Sequence, residues 1–169
     1  MKKLLLILTL SFTAITETQA QKFAYVDTDY ILTKIPEFQQ AQDKLDAIST
    51  NWQKEIENKY TEVDQMYRAY QQEQVLLTDE MKVKREEAII NKETQAKQLQ
   101  QKYFGPEGDL YLKRQELIKP IQDKIYDAIQ QLAANSKYQV IFDSSSDLIM
   151  LYKNNNLDKS DKVLDLMGY

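Results

Sequence analysis

Cysteine and histidine are both absent from this chain of 169 residues. Without cysteine no disulfide framework can hold the fold. Without either residue the usual zinc sites and Ser-His or Cys-His catalysis are excluded. Glycine and proline occur three times each, so few positions can end a helix or turn the chain sharply. Two of the glycines and one proline fall together in YFGPEGDLYLKRQ, residues 103–115, inside a long stretch that otherwise reads as helix. Positive charge is also short: 22 Lys and Arg against 26 Asp and Glu give a net charge of −4. A nucleic-acid binder normally needs a basic face, so no nucleic-acid partner is expected.

Long apolar runs are confined to the start of the chain. Residues 1–20, MKKLLLILTLSFTAITETQA, place Lys2 and Lys3 before the apolar Leu4–Leu10 and Phe12, then small residues at Thr18 and Ala20. That order is the order of an export signal. The apolar stretch is shorter than the ~20 residues a spanning helix needs. Cleavage is expected after Ala20, giving a mature chain from Gln21. Losing Lys2, Lys3 and Glu17 removes two positive charges and one negative, which moves the net charge from −4 to −5.

What is abundant is helix-forming sequence. Residues 37–135 are rich in Gln, Glu, Lys, Ala and Leu. Phe38, Ala41, Leu45, Ile48 and Trp52 recur at steps of three and four, the seam of a helix packed along another. The seam continues through Ile56, Tyr60, Val63, Tyr67 and Tyr70 after a one-residue slip that unwinds the repeat locally. Ile118, Ile121, Ile125, Ala128 and Leu132 form a second seam, with a thinner one at Met81, Ile89, Ala96, Leu99 and Tyr103.

Two places could turn this helix back. A turn at 103–115 would leave some 60 Å of outgoing helix unpaired at ~1.5 Å per residue. A turn at VLLTDEM, residues 75–81, is preferred, because Thr78 can cap a first helical turn carrying Asp79 and Glu80. Facing residues then have numbers adding to about 155 by antiparallel pairing from that turn. The break at 103–109 lies opposite Ser49, Thr50 and Asn51, all mediocre helix formers.

The flanks read as sheet and short helix. Residues 23–27, FAYVD, form a strand, and Asp27 or Thr28 caps a brief helical turn through Tyr30, Ile31 and Leu32. Residues 138–143 and 148–153 read as strands joined by the polar loop Ser-Ser-Ser-Asp in a hairpin. A last helix starts at Ser160 and ends before Gly168, where a C′ glycine belongs. Both strands are apolar on two faces, so both faces need covering. A body this small is at the low end for independent stability, and self-association through the sheets is the expected remedy.

The order FAYVDTDYIL, long hairpin, LIKPIQDKIYDAIQQLA, YQVIFDSSS, LIMLYKNNNLDKSDKVLDLMGY resembles the Skp/OmpH family of periplasmic chaperones. The resemblance implies an α+β fold: a long antiparallel α-helical hairpin, coiled-coil-like, projecting from a small β body completed by trimerisation. The body would comprise residues 21–36 and 121–169, and the arm residues 37–120, with its tip near 76–80. It implies a periplasmic homotrimer that holds unfolded outer-membrane proteins in a cavity between its arms without ATP, and weak membrane-surface contact at the arm tips. Neither enzymatic activity nor a cofactor is implied. Better-known members resembling this chain are strongly basic. Here residues 37–67 carry three basic and seven acidic side chains. At the tip Asp79, Glu80, Glu86 and Glu87 offset Lys82, Lys84 and Arg85. Apolar and aromatic contacts are therefore expected to hold clients.

The expected client-binding residues are Met66, Tyr67, Tyr70, Tyr103, Phe104 and Tyr111; several of them could equally be the hairpin's own seam. Met66 and Tyr111 are the better placed for an exposed face, since each adjoins a seam residue and adjacent helical residues diverge. Val26, Val140, Phe142, Ile149 and Leu151 are the expected trimer-body residues. Gly105, Pro106 and Gly108 form either a hinge or a static kink, with Gly105 as a left-handed helix end and Asp109 as the next cap. Asp27 with Asp29, and Asp143 with Asp147, lack the ligand order of a calcium loop. A structural or adaptor protein of the cell envelope, with hairpins binding native partners, is the alternative reading.

Overall fold

Helix-favouring sequence, few breakers and two apolar seams produce a hairpin whose root is continuous with a small body. The computed structural model describes residues 22–146 and 150–169. The expected signal segment, the cleavage site after Ala20, and Ile149 therefore lie outside the described residues. Strand β1 is Phe23–Val26, followed by helix α1, Thr28–Lys34, and the long α2, Pro36–Glu73. The return is divided into α3, Asp79–Phe104, and α4, Asp109–Ser136. Strand β2, Val140–Asp143, a 3-10 turn at Asn155–Leu157 and helix α5, Ser160–Met167, complete the order.

The turn falls where the sequence placed it. Thr78 is the N-cap of α3, and its hydroxyl accepts from the Met81 backbone N–H at 3.3 Å. Cross-hairpin partners such as Glu62 with Lys92 and Tyr60 with Gln100 have numbers adding to between 154 and 160. Asp27 is the cap of α1, accepting from Tyr30 N–H at 2.9 Å. Gly168 closes α5 in the left-handed region at φ 88°, the conformation that favours glycine.

The sheet differs from the expected hairpin. β1 and β2 pair in parallel, Phe23 beside Val140 through Val26 beside Asp143. The second strand begins at Val140 rather than Tyr138. Residues 150–153 form no strand within the chain, and 148–149 lie outside the described residues. A parallel pair needs a long crossover, and the entire helical arm supplies it.

Pairing in register puts Phe23, Tyr25, Val140 and Phe142 on one face, Ala24, Val26, Ile141 and Asp143 on the other. The second face is covered: Val26 packs with Ile31, Ile35, Ala41, Leu45, Ile118, Ile121, Ile125, Val163 and Leu164 in one core that joins the body to the arm's root. All five residues of the α4 seam are buried. Truncating one of its isoleucines to alanine in such a core costs about 2–5 kcal/mol. Pro120 lies inside α4, so that helix runs unbroken from the arm into the body.

Beyond Ile56 the arm is thinly packed. Among the described residues only Ile56, Ile89 and Ala96 are buried there. The seam also drifts: Val63, Met66 and Tyr70 are half-buried, whereas Tyr67 is 50 % exposed. Met66 therefore takes the seam place expected of Tyr67: between Val63 and Tyr70 the inward side steps by three and then four residues, where four and then three was expected.

Candidate functional site

Six aromatic and thioether residues on the arm were expected to meet a partner, and the structure divides them. Tyr103 stacks on Trp52 with ring centroids 4.5 Å apart and planes 8° from parallel. Phe104 meets the same indole edge-on at 6.4 Å. The Tyr103 hydroxyl donates to Glu55 at 2.9 Å, and the Tyr70 hydroxyl donates to Glu86. Tyr70, Tyr103 and Phe104 thus tie the two limbs together, and Met66 is half-buried in the seam. Tyr67 and Tyr111 are the two left largely in water, at 50 % and 47 % exposure. Hydrogen bonding to Glu86 raises the Tyr70 phenol above its ordinary value, and Glu55 does the same for Tyr103.

Sequence reasoning missed other exposed apolar groups on the arm: Val75 and Leu76 at the turn, Val83 and Ile90 on α3, and Leu112 and Tyr126 on α4. Val75 and Leu76 stand together in the turn, and the others lie off the three-four seams from which the helices are read. At the tip Lys82 pairs with Asp79 at 3.3 Å, Lys84 with Glu80 at 2.7 Å and Arg85 with Glu73 at 3.3 Å. The tip's basic groups are thus matched locally while Val75 and Leu76 project at its end.

The break is built differently from expectation. Gly105 is extended, φ −64° and ψ 168°, and is not a left-handed cap. Gly108, also extended, is the N-cap of α4 without a side-chain bond, so Asp109 does not cap that helix. Asp109 sits in the first turn, 3.8 Å from Lys102. The glycines answer a need for close approach instead. A Cβ at Gly105 would stand 2.4 Å from the Gln101 carbonyl oxygen, and one at Gly108 would stand 2.7 Å from that of Lys102. Opposite them α2 is unbroken through Ser49, Thr50 and Asn51, so one limb spans the gap in the other.

On the body, Val140 and Phe142 are 46 % and 41 % exposed, beside Phe23 at 53 %. Leu151 is 96 % exposed. Val26 is 1 % exposed and faces the helices, so it belongs to the chain's own core. Between α1 and α4 lies a groove of about 360 Å³ lined by Thr28, Leu32, Ile125, Tyr126 and Ile129, with the polar Gln122 and Asp123 also on its wall. Among the described residues no group of three or more Asp or Glu is placed to hold a metal ion. No described helix is long and apolar enough to cross a membrane.

Comparison with known proteins agrees with this architecture. A solved structure of a candidate outer membrane chaperone (OmpH-like) from Caulobacter crescentus CB15 superposes with a TM-score of 0.68 at 15% sequence identity. The match covers 88% of this chain and 85% of that one, and at such identity it speaks for the fold. No curated protein sequence matches. The family described as Outer membrane protein (OmpH-like) matches residues 22–167, nearly all of the described hairpin and body, and the chain belongs to that family.

Proposed function

We propose that this protein is an ATP-independent periplasmic holdase that binds unfolded outer-membrane proteins between the arms of a homotrimer. The observation that carries the reading is a set of large apolar side chains left in water along a projecting arm. Tyr67, Val83, Ile90 and Tyr111 are each about half exposed and lie away from the shared core. A 38-residue helix such as α2 spans ~57 Å at 1.5 Å per residue, long enough to shield a collapsed chain. Family membership supports the chaperone role, and the Caulobacter protein, itself a candidate outer membrane chaperone, shares the fold.

Assembly is supported by the part of the sheet's other face that the chain leaves open around the buried Tyr25. Phe23, Val140 and Phe142 form an apolar patch at the end of the body opposite its core, and Leu151 projects from the loop that follows β2. Contacts between such patches would place three arms side by side.

Client holding by apolar contact predicts weak salt dependence, because screening at ~10 Å acts on charges and spares apolar burial. The test is aggregation of a urea-unfolded β-barrel protein on dilution, without nucleotide, across a salt series. Suppression that persists at high salt is expected. No suppression would overturn the holdase and favour an envelope adaptor that binds native partners, while loss of suppression with salt would point to charge-driven capture.

A further inference from the structure

Of the four side chains that the parallel register puts on the sheet's open face, Tyr25 alone is buried, at 4 % exposure. Its hydroxyl is enclosed and has no hydrogen-bond partner among the described residues. Enclosing a polar group in that way is unfavourable, and native folds seldom keep one unless something else completes the bond. The segment at residues 150–154 crosses the ring. Lys153 sets its ammonium 5.4 Å from the Tyr25 ring centroid, within reach of a cation–π attraction. Just beyond, the chain is tied to the edge of β1. There the Lys159 N–H donates to the Tyr25 carbonyl at 2.9 Å, and Asp158 forms a parallel bridge to Tyr25. The segment itself buries little: Leu151 is 96 % and Tyr152 83 % exposed.

We propose that residues 150–154 are a strap, held over Tyr25 in the single chain and lifted when copies associate, and that the Tyr25 hydroxyl then bonds to a group of the second copy. The inference rests on the assembly reading and names the element that gates it. Lifting the strap relieves two unfavourable features together. It opens the enclosed hydroxyl to a partner, and it lets Leu151 and Tyr152 leave water. Area decides who that partner is. Phe23, Val140 and Phe142 expose only about a third of the ~800 Å² per partner that a stable interface buries. With Leu151 and Tyr152 the exposed apolar surface reaches roughly three quarters of it. A second copy brings both sets, so the strap of one copy can cover the face of the next. A head-to-tail contact of that kind closes into a ring. A non-native segment would bring neither a matching strap nor a fixed partner for the hydroxyl.

Two substitutions should move the association equilibrium in opposite directions, which a purely structural role would not do. Tyr25→Phe keeps the ring and removes the hydroxyl. The single chain loses no hydrogen bond with it, whereas every copy in the assembly does, so the concentration of half-dissociation should rise about tenfold. Lys153→Gln removes the clamp that holds the strap down, and that concentration should fall about two- to fivefold. Sedimentation of each chain across a dilution series measures both, with helix content followed by circular dichroism. Below the half-dissociation concentration, Tyr25→Phe should resist urea at least as well as the parent. Earlier unfolding would show the hydroxyl already bonded in the single chain and would overturn the strap. So would a Tyr25→Phe chain that associates as tightly as the parent, or a Lys153→Gln chain that associates no more tightly. If Tyr25→Phe keeps the parent's mass but loses suppression of aggregation, the face serves a non-native chain and the inference falls. A parent that stays monomeric at every concentration removes the assembly reading itself, and the strap with it.

Discussion

Asp143 shows how a single side chain joins distant parts of the sequence. Its carboxylate accepts from the Thr28 backbone N–H at 3.2 Å and the Thr28 hydroxyl at 2.6 Å. It also accepts from the Ser145 backbone N–H at 3.0 Å and the Ser145 hydroxyl at 2.8 Å. Partial burial pushes its pKa up, but these donors outweigh burial and hold the group below the ordinary carboxylate value. The sign follows: a depressed folded pKa contributes stability above the unfolded value of about 4 and loses it as pH falls through the folded one. Asp143→Asn should therefore be less stable than the parent at pH 7, with the difference shrinking in acid below about pH 4. Asp143→Ala should lose about 1–3 kcal/mol. Urea unfolding at pH 7 and pH 3 measures both, and a gap that stays constant with pH would show that the charge is not what Thr28 and Ser145 recognise. From sequence, Asp143 was weighed with Asp147 as a calcium pair and set aside. Its bond to Thr28 spans 115 positions, and no local pattern encodes that.

Among the elements, those with a strong period were legible and those without were not. The seam of α4 and the turn at Thr78 follow from three-four spacing and cap chemistry, and the structure has both. The parallel partner of β2 was not legible, because a four-residue apolar strand carries no mark of its neighbour. The break at 105–108 was visible as glycine and proline, but its geometry depends on the Gln101 and Lys102 carbonyls that crowd it. We propose that this break is a joint splinted by Trp52, which bridges from the continuous α2 to Tyr103 and Phe104. Trp52→Ala should cost about 1–3 kcal/mol through lost aromatic burial and stacking. It should also broaden the distance distribution between spin labels at Lys84→Cys and Lys137→Cys, diluted with unlabelled chain. If the parent distribution is narrow and the variant reproduces it, the break is a static kink.

The whole molecule raises the question of what the body needs beyond one chain. Its sheet has two strands, and a lone pair of strands is marginal in water unless a face is covered. The core covers the face bearing Val26 and Ile141; on the other face Tyr25 is buried, while Phe23, Val140 and Phe142 stay between 41 % and 53 % exposed. Both faces were legible as apolar in the sequence, but which one the chain's own helices cover depends on the parallel register. We propose that copies of the chain cover the other face and that three associate there. A charge is the sharpest probe, since burying an unpaired carboxylate in an apolar contact costs several kcal/mol, whereas exposed in a monomer it costs little. Val140→Asp should therefore dissociate the assembly while α4 and the core on the opposite face stay folded. Val26→Asp should instead unfold the body itself, because that side chain is 1 % exposed within the core. Light scattering gives the mass of each variant, and circular dichroism gives the helix content. A parent protein that is a stable folded monomer would defeat the proposal. So would a Val140→Asp variant that keeps the parent's mass, because the exposed face would then not be the surface through which the arms are gathered.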